Sequence, residues 1–360
     1  MIRLTDATRV TDATGGELPS WVACAIALLR YGTPRRSVPP EVDRWLREQV
    51  PEHSRRLAEK RIDSLYYLGW EPENAIQALY DFVWGIQRAH LEQLLKDLES
   101  EGIDALVLKG AEVFPRCFGD HPIGFMSDVD VLVDRQKLGF AKKVLYAQGY
   151  RQATYDQESG TLVDVDIGKI SEVEGRHYEL VPFCKLVPTG LSSECARLDL
   201  PAQHPLRVSD NMASVLVEVD VHHRVALDVE SAPFFARGRT SALGVGRAIS
   251  PEDHLWVLTA RLYNEVALHG KSDLRDLAYA AAIVRCEAID WDVVLHAATE
   301  QDLHPSLFYY LSFLHRVADL PVPIEILDRM SPLRGVRFRD WGWQLGRLLD
   351  FVEPCPIKAS

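Results

Sequence analysis

The sequence predicts an α+β fold, a mixed sheet with flanking helices set between two helical regions, on three observations. Residues 21–100 carry apolar side chains at helical spacing. Residues 103–232 switch to short apolar or alternating runs with few helices between them. From Ser250 onward the helical spacing returns. A period near 3.6 reads as helix and a period of two as strand, and a strand block between helical blocks points to α+β. The chain then divides into a helical N-terminal region (1–102), a sheet-bearing domain (103–232) and a helical C-terminal domain (245–360). The Pro- and Gly-containing stretch 233–249 is the expected linker. A chain of 360 residues is long enough for two or three cores.

Each element has its own signal. The segment Asn74 to Ser100 repeats apolar residues at helical spacing (Leu79, Phe82, Val83, Leu91, Leu94, Leu98), and Gly102 stops it. Ala105 to Leu108 is a short strand that ends at Lys109-Gly110, and Val129 to Val133 is a second. Leu138 to Gln148 reads as a helix closed by Gly149. Three more strand-like stretches follow: Thr161 to Ile167, His177 to Val187 and Val215 to Val225. Ser250-Pro251-Glu252-Asp253 is a helix start, with a capping serine, proline at the first position and an acidic first turn. Helices are expected over 252–268, 273–286, 291–319 and 335–352, with Trp341 and Trp343 packing in the tail.

Composition narrows the function. Hydrophobic residues make up 47% and charged residues 26%, as in an ordinary globular protein. No stretch reaches the roughly 18 apolar residues of a membrane span, and the start of the chain lacks the basic and apolar segments of a signal peptide. The expectation is a cytoplasmic protein without a membrane partner. The six cysteines are irregularly spaced with no CxxC pair, so free thiols are expected, with zinc binding the minor alternative. The net charge of −12 argues against a nucleic-acid partner, which would call for a basic face.

The chemistry sits in three segments. In Ser127-Asp128-Val129-Asp130-Val131-Leu132-Val133, alternation turns Asp128 and Asp130 to one face and the valines to the other. Two like charges on one sheet face are costly without a cation. Mg²⁺ (or Mn²⁺) removes that cost and is commonly shared between carboxylates and substrate phosphates. A solvated edge strand also produces this pattern. In Leu106 to Glu112, a strand runs into Lys109-Gly110-Ala111 and then a helix, an arrangement that can present backbone N–H groups to a phosphate with Lys109 as a point charge. In Val217 to His223, Glu218, Asp220 and His222 share a face. His222 and His223 are adjacent, so they face opposite ways and do not readily share one zinc ion.

The order of these segments resembles the polymerase-β-type nucleotidyltransferase superfamily, and in particular its bacterial "nucleotidyltransferase family" branch. There an LKG turn precedes an SDIDLLV-like strand, a VDLH-like strand follows, and an LRDLA-like segment lies in a helical tail. This chain has VLKG at 107–110, SDVDVLV at 127–133, VDVH at 219–222 and LRDLA at 274–278, so the resemblance covers about residues 90 to 290. It implies a polymerase-β-type core. It implies Asp128, Asp130 and Asp220 as catalytic metal ligands, with Glu218 as the fallback third acid and His222 as a neighbouring contact. Lys109, Gly110, Ala111, Ser127 and Arg275 are the implied nucleotide contacts, with Lys271 a further candidate from the helical tail. Arg275 and Lys271 also read as partners in an ordinary capping and ion-pair arrangement. The chain lacks the arginine usual before the DxD strand; Arg116 is the candidate replacement. It also has Ala111 where Gly or Ser is usual.

The implied reaction moves a nucleoside monophosphate from an NTP to a small-molecule acceptor by two metal ions, in metabolite tailoring or antibiotic modification. A protein or RNA acceptor is the first alternative. A non-catalytic antitoxin-like or regulatory binding protein is the second, and the intact acid trio weighs against it.

Overall fold

A computed structural model describes residues 3–4, 10–11, 19–32, 37–192, 205–209, 212–331 and 348. The chain divides into two compact units, the first Met1–Asn74 taken together with Pro251–Ser360, the second Ala75–Ser250. In chain order the elements open with a two-residue antiparallel ladder of β1 (Arg3–Leu4) and β2 (Val10–Thr11). The helices α1 (Ser20–Tyr31), α2 (Pro40–Glu59) and α3 (Ser64–Trp70) follow. Val22 to Leu29 of α1 are all buried, as expected of a helix that is apolar all round.

The second unit begins with α4 (Ala75–Ser100). It continues through β3 (Ala105–Val107), α5 (Lys109–Cys117), β4 (Val129–Val133), α6 (Leu138–Ala147), β5 (Arg151–Asp156) and β6 (Thr161–Asp164). Then come α7 (Ile167–Arg176), β7 (Phe183–Ser192), β8 (Leu206–Ser209), β9 (Met212–His222), α8 (Ala232–Arg237), β10 (Arg239–Thr240) and β11 (Arg247–Ala248). The strands form one sheet in the order β10-β11-β3-β4-β9-β7-β5-β6, with β8 paired to the start of β9. β11 runs parallel to β3 and β4 parallel to β9, while the other pairs are antiparallel. The mixed sheet of the sequence reading is therefore present, in an α+β unit.

The expected linker 233–249 is instead part of this sheet. β11 lies along β3, and the Ile249 amide donates to the Val107 carbonyl at 3.4 Å. Arg247 holds the segment there, paired with Asp104 and donating to the carbonyls of Phe235 and Gly238. Two-residue strands are too short to show a period, so the sequence carried no strand signal. Other boundaries also differ. The expected strand Thr161 to Ile167 stops at Asp164, because Asp166 accepts from the Gly168 and Lys169 amides and caps α7. The expected strand from His177 begins at Phe183; residues 178–180 only touch the end of β9.

The last helices return to the first unit: α9 (Pro251–His269), α10 (Arg275–Cys286), α11 (Trp291–Glu300), α12 (His304–Val317) and α13 (Ile324–Met330). α9 starts at Pro251, with Glu252 and Asp253 in its first turn. The helix expected over 291–319 is broken, because Pro305 lacks an N–H and fits only the first turn of a new helix. Asp302, at φ +52°, turns the chain between the two halves. The helix expected over 335–352, with Trp341 and Trp343, lies outside the described residues except for Leu348. Lys60 ties the early helices to the late ones: its buried ammonium donates to the carbonyls of Ser272 and Leu348. Among the described residues no helix is long and apolar enough to cross a membrane.

α4 packs on the sheet through a stripe that is not purely apolar. Gln77, Tyr80, Trp84, Gln87 and Leu91 recur at three- and four-residue steps and are all buried, whereas Phe82 is exposed. The two glutamines have a purpose. Gln77 donates to the Pro122 carbonyl at 3.3 Å and Gln87 to the Met126 carbonyl at 2.8 Å. They hold the buried segment that leads directly into Ser127 and Asp128. Replacing Gln87 by Leu leaves the Met126 carbonyl unpaired, a loss of about 1–3 kcal/mol. Amide hydrogen exchange at residues 123–126 should then quicken by about 5- to 150-fold. Unchanged exchange there would show that Gln87 does not hold the segment.

Candidate metal centre and nucleotide site

The site is made by a register. β4 and β9 lie side by side and parallel, with Val129 opposite Val219, Asp130 opposite Asp220 and Val131 opposite Val221. Alternation sends the valines to one face, where all four are buried. The opposite face gathers Asp130, Glu218, Asp220 and His222. Asp130 and His222 are each only 4% exposed. Asp128 stands immediately before β4, where its carboxylate accepts from the Ser127 hydroxyl at 2.6 Å.

Asp130, Asp220 and His222 each offer one ligand atom, and these atoms lie within 4.8 Å of one another. His222 Nε2 is 2.9 Å from Asp130 Oδ1, and the Lys109 ammonium pairs with the same oxygen. One Asp220 oxygen is buried without a hydrogen-bond partner among the described residues. Burial, and then the charges of Asp128, Asp130 and Glu218, push the Asp220 carboxyl up to about 9, while Lys109 pulls the other way. An orphaned buried carboxylate oxygen beside a second carboxylate and an imidazole fits a divalent cation: it supplies the positive charge the cluster lacks and takes the unused lone pair.

The turn into α5 is tied to the same strand. The Leu108 amide donates to the Asp130 carbonyl at 3.1 Å. Lys109 then takes φ +50°, a left-handed conformation that costs a residue with a Cβ about 1–2 kcal/mol. That turn brings its ammonium back to Asp130 and leaves Gly110 and Ala111 in the first turn of α5, where helix amides have no intrahelical acceptor. The same first turn of α5 carries a clamp. Buried Glu112 accepts from the Ser241 hydroxyl at 2.6 Å and from the Ala242 amide, and pairs with Arg116. Burial pushes the Glu112 carboxyl up, and these three partners oppose it.

The remaining candidates fall in different places. Arg116 binds Glu112 and the Thr240 carbonyl, so its guanidinium is engaged in that clamp. Glu218 lies one pleat from Asp220, but its described partner is the Cys184 thiol at 3.6 Å. Burial and then the Asp128 charge raise its carboxyl. His223 faces away from His222 and contacts the His177 carbonyl at 3.0 Å, so the two rings do not share an ion. Of the cysteines, Cys24, Cys117, Cys184 and Cys286 are free thiols; Cys195 and Cys355 lie outside the described residues. Lys271 and Arg275 belong to the helical unit. Lys271 pairs with Asp276 at 2.8 Å, and the Arg275 guanidinium lies over the Tyr279 ring. Burial alone would raise the Asp276 carboxyl, but Lys271, Arg261 and Arg275 hold it well below the usual carboxylate range.

Three contributors were not legible as site residues. Gln87 is a polar residue within an apolar stripe, which is the signal that a sequence reading can use. Glu112 carries no such mark, since its partners Ser241 and Ala242 lie in the stretch taken for a linker. Glu179 is brought beside His222 only by the contact of residues 178–180 with the end of β9.

The profile of a family described as "Uncharacterised nucleotidyltransferase" matches residues 85–319, well over half of the chain. The chain belongs to this family. No curated protein matches it.

Two outcomes follow from the charges. Asp220 is protonated more readily folded than unfolded, where a carboxyl titrates near 4. The cation-free protein should therefore lose stability as pH rises from about 4 to about 9. Asp220→Asn should raise its melting midpoint in chelator at pH 8 by about 2–4 °C. A lower midpoint for the variant would show that Asp220 carries no such strain. Lys271→Met removes the partner of a buried carboxylate and should cost on the order of 3 kcal/mol, read as a lower unfolding midpoint. An unchanged midpoint would release Lys271 for a role elsewhere.

Proposed function

We propose that this nucleotidyltransferase moves a nucleoside monophosphate from an NTP donor to a small-molecule acceptor, on a core of the polymerase-β type. The observation that carries the reading is the convergence of Asp130, Asp220 and His222, with their ligand atoms within 4.8 Å and Asp128 at the mouth of the same strand. Mg²⁺ or Mn²⁺ held by Asp128, Asp130 and Asp220 would neutralise the phosphates and lower the pKa of the attacking hydroxyl.

The chain's own groups supply the positioning. The amides of Gly110 and Ala111, at the N-terminus of α5, donate to the triphosphate oxygens. Lys109 adds a point charge there. Ser127 fixes the orientation of the Asp128 carboxylate through its 2.6 Å hydrogen bond. The clamp from Glu112 to Ser241 and Ala242 keeps α5 in place against the β10–β11 segment. The acceptor oxygen bonds to the α-phosphorus in line as the bond to the bridging oxygen breaks and pyrophosphate leaves; Asp220 takes the hydroxyl proton. Catalysis in this reading is positioning and charge neutralisation, as in phosphoryl transfer generally. The net charge of −12 favours a small acceptor over a polynucleotide.

The test is calorimetric titration of each NTP with Mg²⁺ into the wild type and into Asp128→Ala/Asp130→Ala. One NTP should bind the wild type, and the double variant should lose that binding by at least about 100-fold, consistent with loss of several charge-assisted contacts. A well-folded wild type that binds no NTP, alone or with a metabolite extract, would sink the proposal.

A further inference from the structure

The cluster includes a histidine whose ring is held on three sides. His222 ends β9 and is 4% exposed. Its Nε2 faces Asp130 Oδ1 at 2.9 Å, within the group of converging ligand atoms. Among the described residues its buried Nδ1 has no hydrogen-bond partner, and Glu179 Oε2 stands 3.7 Å away. That distance is beyond a hydrogen bond, yet a shift of well under 1 Å closes it. Tyr178 stacks on the ring, with centroids 5.8 Å apart and planes at 21°.

Glu179 is not there through a loose side chain. Its backbone pairs with His222 in an antiparallel bridge. The Leu180 amide donates to the Val221 carbonyl at 2.9 Å, and the His223 amide to the Tyr178 carbonyl at 3.0 Å. The second Glu179 oxygen lies 3.5 Å from His177 Nδ1. A carboxylate set at the far nitrogen of a buried imidazole is the usual support of a metal-binding histidine: it fixes the N–H on that side and turns the other lone pair to the ion.

We infer that His222 is a metal ligand through Nε2, that Glu179 positions it through Nδ1, and that the site prefers a first-row transition cation such as Mn²⁺ over Mg²⁺. The inference deepens the proposed nucleotidyl-transfer reading and rests on it. Mg²⁺ demands oxygen ligands and retains water, whereas first-row transition ions accept an imidazole nitrogen in a mixed carboxylate set. Asp130 and Asp220 supply the oxygens, and His222 supplies the nitrogen. His223 has no part in this, because it faces the His177 carbonyl.

The test uses the full chain stripped of metal and loaded with Mn²⁺ alone. Pulsed electron paramagnetic resonance should show the ¹⁴N coupling of a directly bound imidazole in the wild type, and that coupling should vanish in His222→Asn. Titration should show Mn²⁺ binding about 10-fold or more tighter than Mg²⁺, with the ratio shrinking in His222→Asn. Glu179→Gln should keep the coupling and weaken Mn²⁺ binding by about 10- to 100-fold, with little change for Mg²⁺. Bound Mn²⁺ without ¹⁴N coupling in the wild type overturns the histidine ligand but leaves the carboxylate site standing. Unchanged Mn²⁺ affinity in Glu179→Gln overturns the positioning role. Mg²⁺-dependent NTP binding without any Mn²⁺ binding overturns the preference, and no binding of either ion sinks the metal-site reading as well. The wild-type coupling needs no variant, so a misfolded substitution does not leave the matter open.

Discussion

Asp130 and Asp220 stand opposite one another on adjacent parallel strands, Asp130 buried and Asp220 half-buried. Adjacent strands are about 4.8 Å apart, so the two carboxylates cannot separate without breaking the register. Shifting β9 by one residue would relieve the repulsion, but it would also turn Val217, Val219 and Val221 out of the core. The valines therefore hold the acids together, and the acids create a demand for positive charge. The Lys109 ammonium answers it at an Asp130 oxygen that also contacts His222 Nε2. The rest of the sheet unit reads as support for this one arrangement.

That support comes from three directions. α4 reaches in with Gln77 and Gln87 to hold the segment before Asp128. The strained turn at Lys109 starts α5 and brings the Lys109 ammonium to Asp130, and strain of that kind persists only where its surroundings fix it. The Glu112 clamp joins α5 to the strand pair β10–β11, which extends the sheet beside β3. Each contact is short-ranged and buried or half-buried, so each transmits position with little slack.

Family membership and geometry bear on different questions. Membership establishes nucleotidyl transfer as the general activity. The geometry narrows which groups are available for it: two carboxylates and an imidazole converge, with Asp128 and the α5 turn adjoining. An imidazole among carboxylates is what separates this cluster from a plain acid trio, and a donor set of that mixture bears on which ion it holds.

The local chemistry was readable from the sequence because strand alternation is a local rule. SDVDVLV and VEVDVHH each announce which residues share a face, and the structure keeps both faces. The start of α9 at Pro251 was equally plain, since proline and first-turn acids act within one helical turn. Short strands such as β10 and β11 were invisible, because two residues have no period. The break at Pro305 was visible in principle and was overridden by the long apolar pattern on either side. What the tertiary structure alone decided is the pairing between distant segments: β4 with β9 in one register, residues 178–180 against the end of β9, and α4 over the loop before Asp128. Alternation gives each strand its faces; only the closing of long loops on a shared valine core determines which strand lies beside it, and so which carboxylate and which imidazole meet.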